Sequence, residues 1–152
     1  MDADFNHLPE RIPALVGSLD SADLVVASRF IEGGGTDDWG RYWFTLLFQL
    51  FLNKVLGFPT IDNTSGYYAI YKDKLWELPL EYIYRGYGDY HLRLLYLAKL
   101  KGLEIMQVPV FFPRRVYGKS KSRYLVMFFK YLLVSFELFL KKDRFFSNEG
   151  KI

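Results

Sequence analysis

The chain has 152 residues, no cysteine and a formal net charge of +3, and 51% of its residues are hydrophobic and 19% aromatic. That length holds one domain with a real core and is too short for two ordinary ones, and the apolar content excludes a disordered chain. Without cysteine there is no disulfide, zinc–thiolate centre or thiol nucleophile, which fits a reducing compartment, and with only His7 and His91 there is little material for histidine-based metal sites or triads.

The chain opens on Asp2, Asp4 and Asn6, three oxygen-bearing side chains on alternate residues. In extended backbone alternate side chains share a face, so the three converge on one point suited to a hard cation such as Mg2+ or Mn2+. An EF-hand loop starts with the same letters but needs Gly in its sixth place and Glu in its twelfth, where this chain has His7 and Pro13. Pro9 then suits a helix's first turn, and Ile12, Leu15, Val16 and Leu19 give a short amphipathic helix.

Leu24 to Ser28 is an apolar run of strand length. Glu32 to Gly40, with glycine at 33, 34 and 35, reads as a loop without regular structure. An aromatic helix is predicted from about Tyr42 to Leu56, followed by a turn at Gly57-Phe58-Pro59, the segment Asp62-Asn63-Thr64-Ser65-Gly66, and a β-rich run from Tyr67 to Tyr71. Asp89 is placed to cap a helix from about Tyr90 to Lys101, which Gly102 ends. Leu103 to Phe112 alternates and reads as one strand.

A basic cluster follows, with Arg114, Arg115, Lys119, Lys121 and Arg123 in one short stretch, which implies anionic partners. A long aromatic helix from about Ser122 to Lys142 closes the fold. Strands separated by helices give an α/β domain with a mainly parallel sheet flanked by helices. Nothing at the N-terminus has the basic and apolar regions of a signal peptide. Trp43 to Leu56 and Tyr124 to Leu140 are interrupted by polar residues and fall short of the ~20 apolar residues needed to span a bilayer. Their aromatic faces beside the basic cluster suit an element lying at a membrane surface, or else two core helices.

Taken singly, these motifs have ordinary structural readings: a solvated acidic terminus, a strand-end charge at Arg29, a turn at Thr64-Ser65-Gly66, a helix cap at Asp89 and a structural His91. Four stretches in one order outweigh those readings. They are Met1-Asp2-Ala3-Asp4, then Ser28-Arg29-Phe30 with Gly33-Gly34, then Asp62-Asn63-Thr64-Ser65-Gly66-Tyr67, then Val108-Pro109-Val110 leading to Arg115-Val116-Tyr117-Gly118-Lys119-Ser120-Lys121. In this order they resemble the catalytic region of glycosyltransferase family 2, most closely its dolichol- and polyprenyl-phosphate mannosyltransferase branch. The resemblance starts part-way along a complete member. It therefore implies a truncated GT-A-type, Rossmann-like domain, the C-terminal part lacking the N-terminal nucleotide-binding region, over residues 1–121, with an aromatic amphipathic helix and tail over 122–152.

The resemblance further implies an inverting transfer of a hexose, mannose or glucose, from a nucleotide-sugar donor to a polyprenyl or dolichyl phosphate, by a peripheral enzyme on the cytoplasmic face of a membrane. Asp2 and Asp4 would hold the metal, with Asn6 where the family often places an amide ligand, and the cation would stabilise the departing diphosphate. Arg29, Arg41 and Arg115 match basic positions that contact phosphate, a task suited to guanidinium groups, and Ser120 and Lys121 complete the family's Arg-x-x-Gly-x-Ser-Lys motif. A lipid-phosphate acceptor is already ionised and needs positioning more than a base. A hydroxyl acceptor would need a carboxylate, with Asp62 and Asp89 as candidates. The branch usually carries an acidic residue where this chain has Leu92.

The alternative is a non-catalytic fragment acting as a membrane-associated or interaction module. Nucleic acid is not an expected partner, because the basic cluster carries no recognisable binding motif and the aromatics fall on apolar faces.

Overall fold

The computed structural model describes residues 7–86, 88–113 and 124–146, and for Arg41 and Tyr124 the backbone alone. Among the described residues, five strands, β1 (Leu24–Ser28), β2 (Gly35–Thr36), β3 (Tyr68–Ile70), β4 (Ile105–Pro109) and β5 (Phe111–Phe112), are interspersed with six α-helices. These are α1 (Ile12–Gly17), α2 (Trp39–Lys54), α3 (Lys72–Trp76), α4 (Leu80–Ile83), α5 (Tyr90–Lys101) and α6 (Tyr124–Lys141), with a 3-10 turn at Pro9–Arg11 ahead of α1.

The α/β architecture expected from the sequence is present, and among the described residues two strand pairings are parallel and one is antiparallel. β1 lies at the centre of a three-stranded sheet in the order β3-β1-β4, antiparallel to β3 and parallel to β4. A second sheet pairs β2 and β5 in parallel. The predicted strand from Leu103 to Phe112 starts two residues later and is divided between the two sheets at Val110. Its backbone bonds both ways at that point: Val110 N–H donates to the Ser28 carbonyl, and Gly35 N–H donates to the Val110 carbonyl. Pro109, which has no N–H, ends the β4 ladder there. The glycine loop therefore gains a short strand, β2, that the sequence reading left irregular.

All five β1 residues are buried because the strand is covered on both faces. Leu24 and Val26 join the larger core with Phe48 and Leu52 of α2, Leu94 and Leu97 of α5, and Val134 and Leu138 of α6. Val25 and Ala27 face the other way, onto Leu15, Leu19, Tyr67 and Phe112. Gly102 ends α5 as expected, at φ +87°, with its N–H and that of Leu103 closing back on the Lys99 and Ala98 carbonyls. Asp89 occupies the N-cap position of α5 but makes no capping bond, because its carboxylate is drawn to Arg93 and Lys130 instead.

Helices α2 and α6 carry apolar residues on their outer faces as well as in the core, and polar residues on their inner faces. In α2 the polar residues Thr45, Gln49 and Asn53, four apart, lie on the protein side: Gln49 is fully buried, and Asn53 Nδ2 donates to the Phe58 carbonyl. Trp39, Trp43, Leu47 and Leu50 face outward and are exposed. In α6, Leu125, Phe129, Leu133, Phe136 and Leu140 are exposed, while Lys130 and Glu137 turn to Asp89 and Arg85 of the protein. The two helices meet through Phe128, whose ring lies 5.2 Å from Phe44 and 5.1 Å from Phe48. Among the described residues no helix is long and apolar enough to cross a membrane.

Candidate functional site

The C-terminal end of β1 delivers Arg29 into a socket built by the loop between α2 and β3. Asp62, with no exposed surface, accepts from Arg29 Nε at 2.7 Å, from Nη2 at 2.6 Å and from the Arg29 backbone N–H at 3.0 Å. This two-pronged pairing fixes the plane of the guanidinium. Nη2 also reaches Thr64 Oγ1 at 3.3 Å, and the cation sits 5.1 Å from the centre of the Phe30 ring and 5.4 Å from that of Phe112. Burial alone would lower the Arg29 pKa, but the charge and hydrogen bonds of Asp62 outweigh it and raise it, so Arg29 is a fixed cation. Its side chain keeps 20% exposure.

The backbone beside Arg29 is set by Gly34. A Cβ there would lie 2.5 Å from the Ser28 carbonyl oxygen and 3.0 Å from the Arg29 carbonyl carbon, closer than packed atoms allow. Gly34 thus lets the glycine loop fold back onto the end of β1.

The loop is held from three sides. From α2, Gln49 Oε1 accepts from the Asn63 backbone N–H at 2.9 Å and from Asn63 Nδ2 at 3.1 Å, and Gln49 Nε2 donates to Thr64 Oγ1 at 2.8 Å. Within the loop, Thr60 Oγ1 donates to Asn63 Oδ1 at 2.7 Å. From α5, His91 Nδ1 lies 3.0 Å from the Asn63 carbonyl, which can only accept, so the proton is on Nδ1. Burial pushes the His91 pKa down to about 4, and the ring is neutral. On the remaining side His7 stacks on Tyr67 at 4.7 Å and reaches the Ser65 carbonyl through Nε2 at 3.0 Å. Gly66, at φ +69°, makes the turn that brings Tyr67 under His7.

Of the residues singled out in the sequence, Arg29 and Asp62 come together directly. Asp89 lies at a separate place, the start of α5, also without exposed surface. It pairs with Arg93, four residues on, and its Oδ1 lies 3.1 Å from Lys130 Nζ of α6. Both carboxylates are thus engaged by cations. Arg41 lies in the first turns of α2, with its backbone alone described. Asp2, Asp4, Asn6, Arg115, Ser120 and Lys121 lie outside the described residues, and among the described residues there is no cluster of three histidine, aspartate or glutamate side chains able to hold a metal. The sequence reading passed over Gln49, Asn63 and Thr64 as individual side chains. The four-residue polar repeat inside α2 was the signal that could have found Gln49.

The family model for glycosyl transferase family 2 matches residues 1–78, a span that holds Arg29, Gln49 and the whole Asp62–Gly66 loop. The chain is 35% identical over 124 residues to an undecaprenyl-phosphate mannosyltransferase of Micrococcus luteus, with 80% of this chain and 51% of that protein covered. It is 32% identical over 127 residues to a polyprenol monophosphomannose synthase of Mycolicibacterium smegmatis, with 80% of this chain and 47% of that one covered. To a dolichol-phosphate mannosyltransferase of Pyrococcus furiosus it is 28% identical over 128 residues, with 81% and 35% covered. The chain therefore spans about half or less of the length of these curated relatives. The match over 1–78, together with the socket it encloses, makes this chain a member of glycosyl transferase family 2.

Proposed function

We propose that this chain is part of a glycosyltransferase that moves a hexose, mannose or glucose, from a nucleotide sugar to a polyprenyl phosphate. The observation that carries the reading is the Arg29 socket. A guanidinium locked by a buried carboxylate, still one-fifth exposed and lying within the family match, suits an ionised phosphate oxygen. The relatives are named for polyprenyl and dolichyl phosphates, which agrees with that chemistry.

In this reading Asp62 holds Arg29 in orientation. An ionised lipid phosphate attacks the anomeric carbon with inversion, and the negative charge that develops on the departing diphosphate needs fixed positive groups nearby. Arg29 supplies one, and Arg41, Arg115, Ser120 and Lys121 are proposed to supply more. A Mg2+ or Mn2+ ion held by Asp2, Asp4 and Asn6 would add charge neutralisation at the leaving group.

The outward stripes of α2 and α6 support a peripheral seat on the cytoplasmic face of a membrane. They bound a groove of about 340 Å3 lined by Phe44, Leu47, Phe48, Phe51, Phe128 and Leu132, and Lys54 and Lys141 stand at the C-terminal ends of the same helices. An apolar face this extensive, with basic groups at its margin, fits anionic lipid.

Two measurements test the proposal. Labelled hexose should move from a nucleotide sugar to a polyprenyl phosphate on the longest protein that contains this chain, and the transfer should fall at least ~100-fold in Arg29→Ala. Full transfer by that variant would remove Arg29 from the site. In flotation with anionic vesicles the protein should rise at low salt and less so at high salt. Protein that stays at the bottom at low salt would refute the membrane seat.

A further inference from the structure

The hydrogen-bond directions around Thr64 are forced, and they leave one proton over. A backbone N–H can only donate, so the bond from Asn63 N–H fixes the oxygen end of the Gln49 amide toward Asn63. The Gln49 Nε2 end then faces Thr64 Oγ1 at 2.8 Å, and an amide nitrogen can only donate. Arg29 Nη2, 3.3 Å from the same oxygen, can also only donate. A hydroxyl has two acceptor lone pairs and one proton. Both lone pairs of Thr64 are engaged, so its O–H must be given away, and among the described residues no oxygen accepts it.

Arg29 has the same kind of surplus on the same side of the socket. Of its five N–H groups, one on Nε and one on Nη2 go to Asp62, and the other on Nη2 goes to Thr64. The two on Nη1 have no hydrogen-bond acceptor among the described residues, and the side chain remains in part exposed. Thr64 is itself only half-buried. The N–H pair of Nη1 and the O–H of Thr64 are thus neighbouring donors with no acceptor among the described residues.

We infer that Thr64 is a phosphate-binding residue, whose hydroxyl donates to a phosphate oxygen beside Arg29 and whose direction of donation is set by the buried amide of Gln49. The inference rests on the proposed reading of Arg29 as a phosphate contact and adds to it a neutral donor and the residue that orients it. The ligand chemistry is a phosphate oxyanion, which either a prenyl phosphate or the diphosphate of a nucleotide could present. Asp62 neutralises part of Arg29's charge, so a further hydrogen bond of fixed direction gives the site selectivity for an acceptor-only group.

The test uses calorimetric titration of the chain with two probes, inorganic pyrophosphate and the short-chain farnesyl phosphate, on the native protein, Thr64→Ser and Thr64→Val. Thr64→Val should weaken binding about tenfold or more, the effect of losing one hydrogen bond to a charged group, while Thr64→Ser stays close to the native value. A loss confined to farnesyl phosphate assigns the hydroxyl to the acceptor phosphate, and one confined to pyrophosphate assigns it to the leaving group. Thermal unfolding of the same variants separates a structural role: Thr64→Val that melts earlier but binds both probes as the native protein does overturns the inference. If Thr64→Val does not fold, Thr64→Ala takes its place under the same criterion. Native protein that binds neither probe overturns this inference and the reading of Arg29 together, whereas tight native binding that Thr64→Val retains overturns this inference alone.

Discussion

Asp62 and Asp89 are chemically alike and similarly placed: each is a carboxylate with no exposed surface, each paired with an arginine. The arginines differ. Arg93 is 6% exposed, and its Nη1 donates inward to protein carbonyls, at 2.7 Å from the Arg85 oxygen and 3.5 Å from that of Ile83, while its Nε is buried beside no acceptor among the described residues. Arg29 is 20% exposed, and its Nη1 meets no protein oxygen among the described residues. A buried ion pair whose cation is enclosed by the fold is a fastener, tying α5 to the segment after α4 and, through Lys130, to α6. A pair whose cation keeps unpaired donors in reach of solvent can serve as a mount for a ligand, the role proposed for Arg29. Burial of the carboxylate does not distinguish the two; the exposure of the partner does.

The largest expected effect lies on the fastening side. Asp89→Ala leaves Arg93 buried without its counter-charge and releases Lys130, and breaking such a pair costs about 3–5 kcal/mol. Urea unfolding should show that loss, and stability within about 1 kcal/mol of the native protein would break the comparison.

Next in size is a pH effect on the mounting side. His91 supports the Asn63 carbonyl as a neutral ring, and its pKa is lowered to about 4 from 6.5, chiefly by burial. The groups facing it include Asp62, which opposes the shift, and His7 and Arg29, which add to it. Between those two values the unfolded chain binds a proton that the folded chain does not. Stability contributed by the neutral ring is therefore complete above pH 6.5 and falls as pH drops toward 4, by roughly 3 kcal/mol in all. Unfolding measured from pH 7 to pH 4 should show the decline, and His91→Gln should flatten it. An unchanged slope in that variant would assign the decline to other groups.

Asp62→Ala should cost less stability than Asp89→Ala, about 2 kcal/mol, because Arg29 can turn toward water where Arg93 cannot. Its greater effect should fall on ligand binding: an untethered guanidinium has to be ordered by the phosphate itself, and the titration with pyrophosphate should weaken. Equal stability losses for the two alanine variants would mean that the partner's exposure does not separate them.

Much of this architecture is legible in local patterns. β1 matches the apolar run from Leu24 to Ser28, and α5 starts and stops where Asp89 and Gly102 indicated. What the sequence hid depends on distant partners. Whether Tyr68–Ile70 joins β1 antiparallel depends on a partner strand distant in sequence, and the Leu103–Phe112 run divides where Val110 bonds both to Ser28 and to Gly35 of the glycine loop. Asp89 reads as a cap because capping is the local option, and Lys130, 41 positions away, changes it. In α2, Gln49 and Asn53 registered as interruptions of an apolar stretch. Their spacing with Thr45 marks a polar strip on the inner face of the helix, beside the core residues Phe48 and Leu52.

The smallest effect is expected where charges pair at the surface of α6. Glu137 Oε1 accepts from Arg85 Nη2 at 2.9 Å and from Lys141 Nζ at 3.0 Å, and all three side chains retain substantial exposure. Burial by itself would raise the Glu137 pKa, but the hydrogen bonds and charges of Lys141 and Arg85 outweigh it and lower it. A carboxylate held below its ordinary value contributes stability above pH 4.5 that is lost as pH falls through the lowered value. Because the cations are solvated, Glu137→Gln should cost less than about 1 kcal/mol at low salt and nothing measurable in concentrated salt. Arg85 also lies 3.9 Å from the Tyr82 ring centre, a contact the variant leaves in place, which limits the loss further. If Glu137→Gln destabilised the protein as much as Asp89→Ala, the ordering by the burial of the partner would fail along a single helix, since Lys130 and Glu137 both belong to α6.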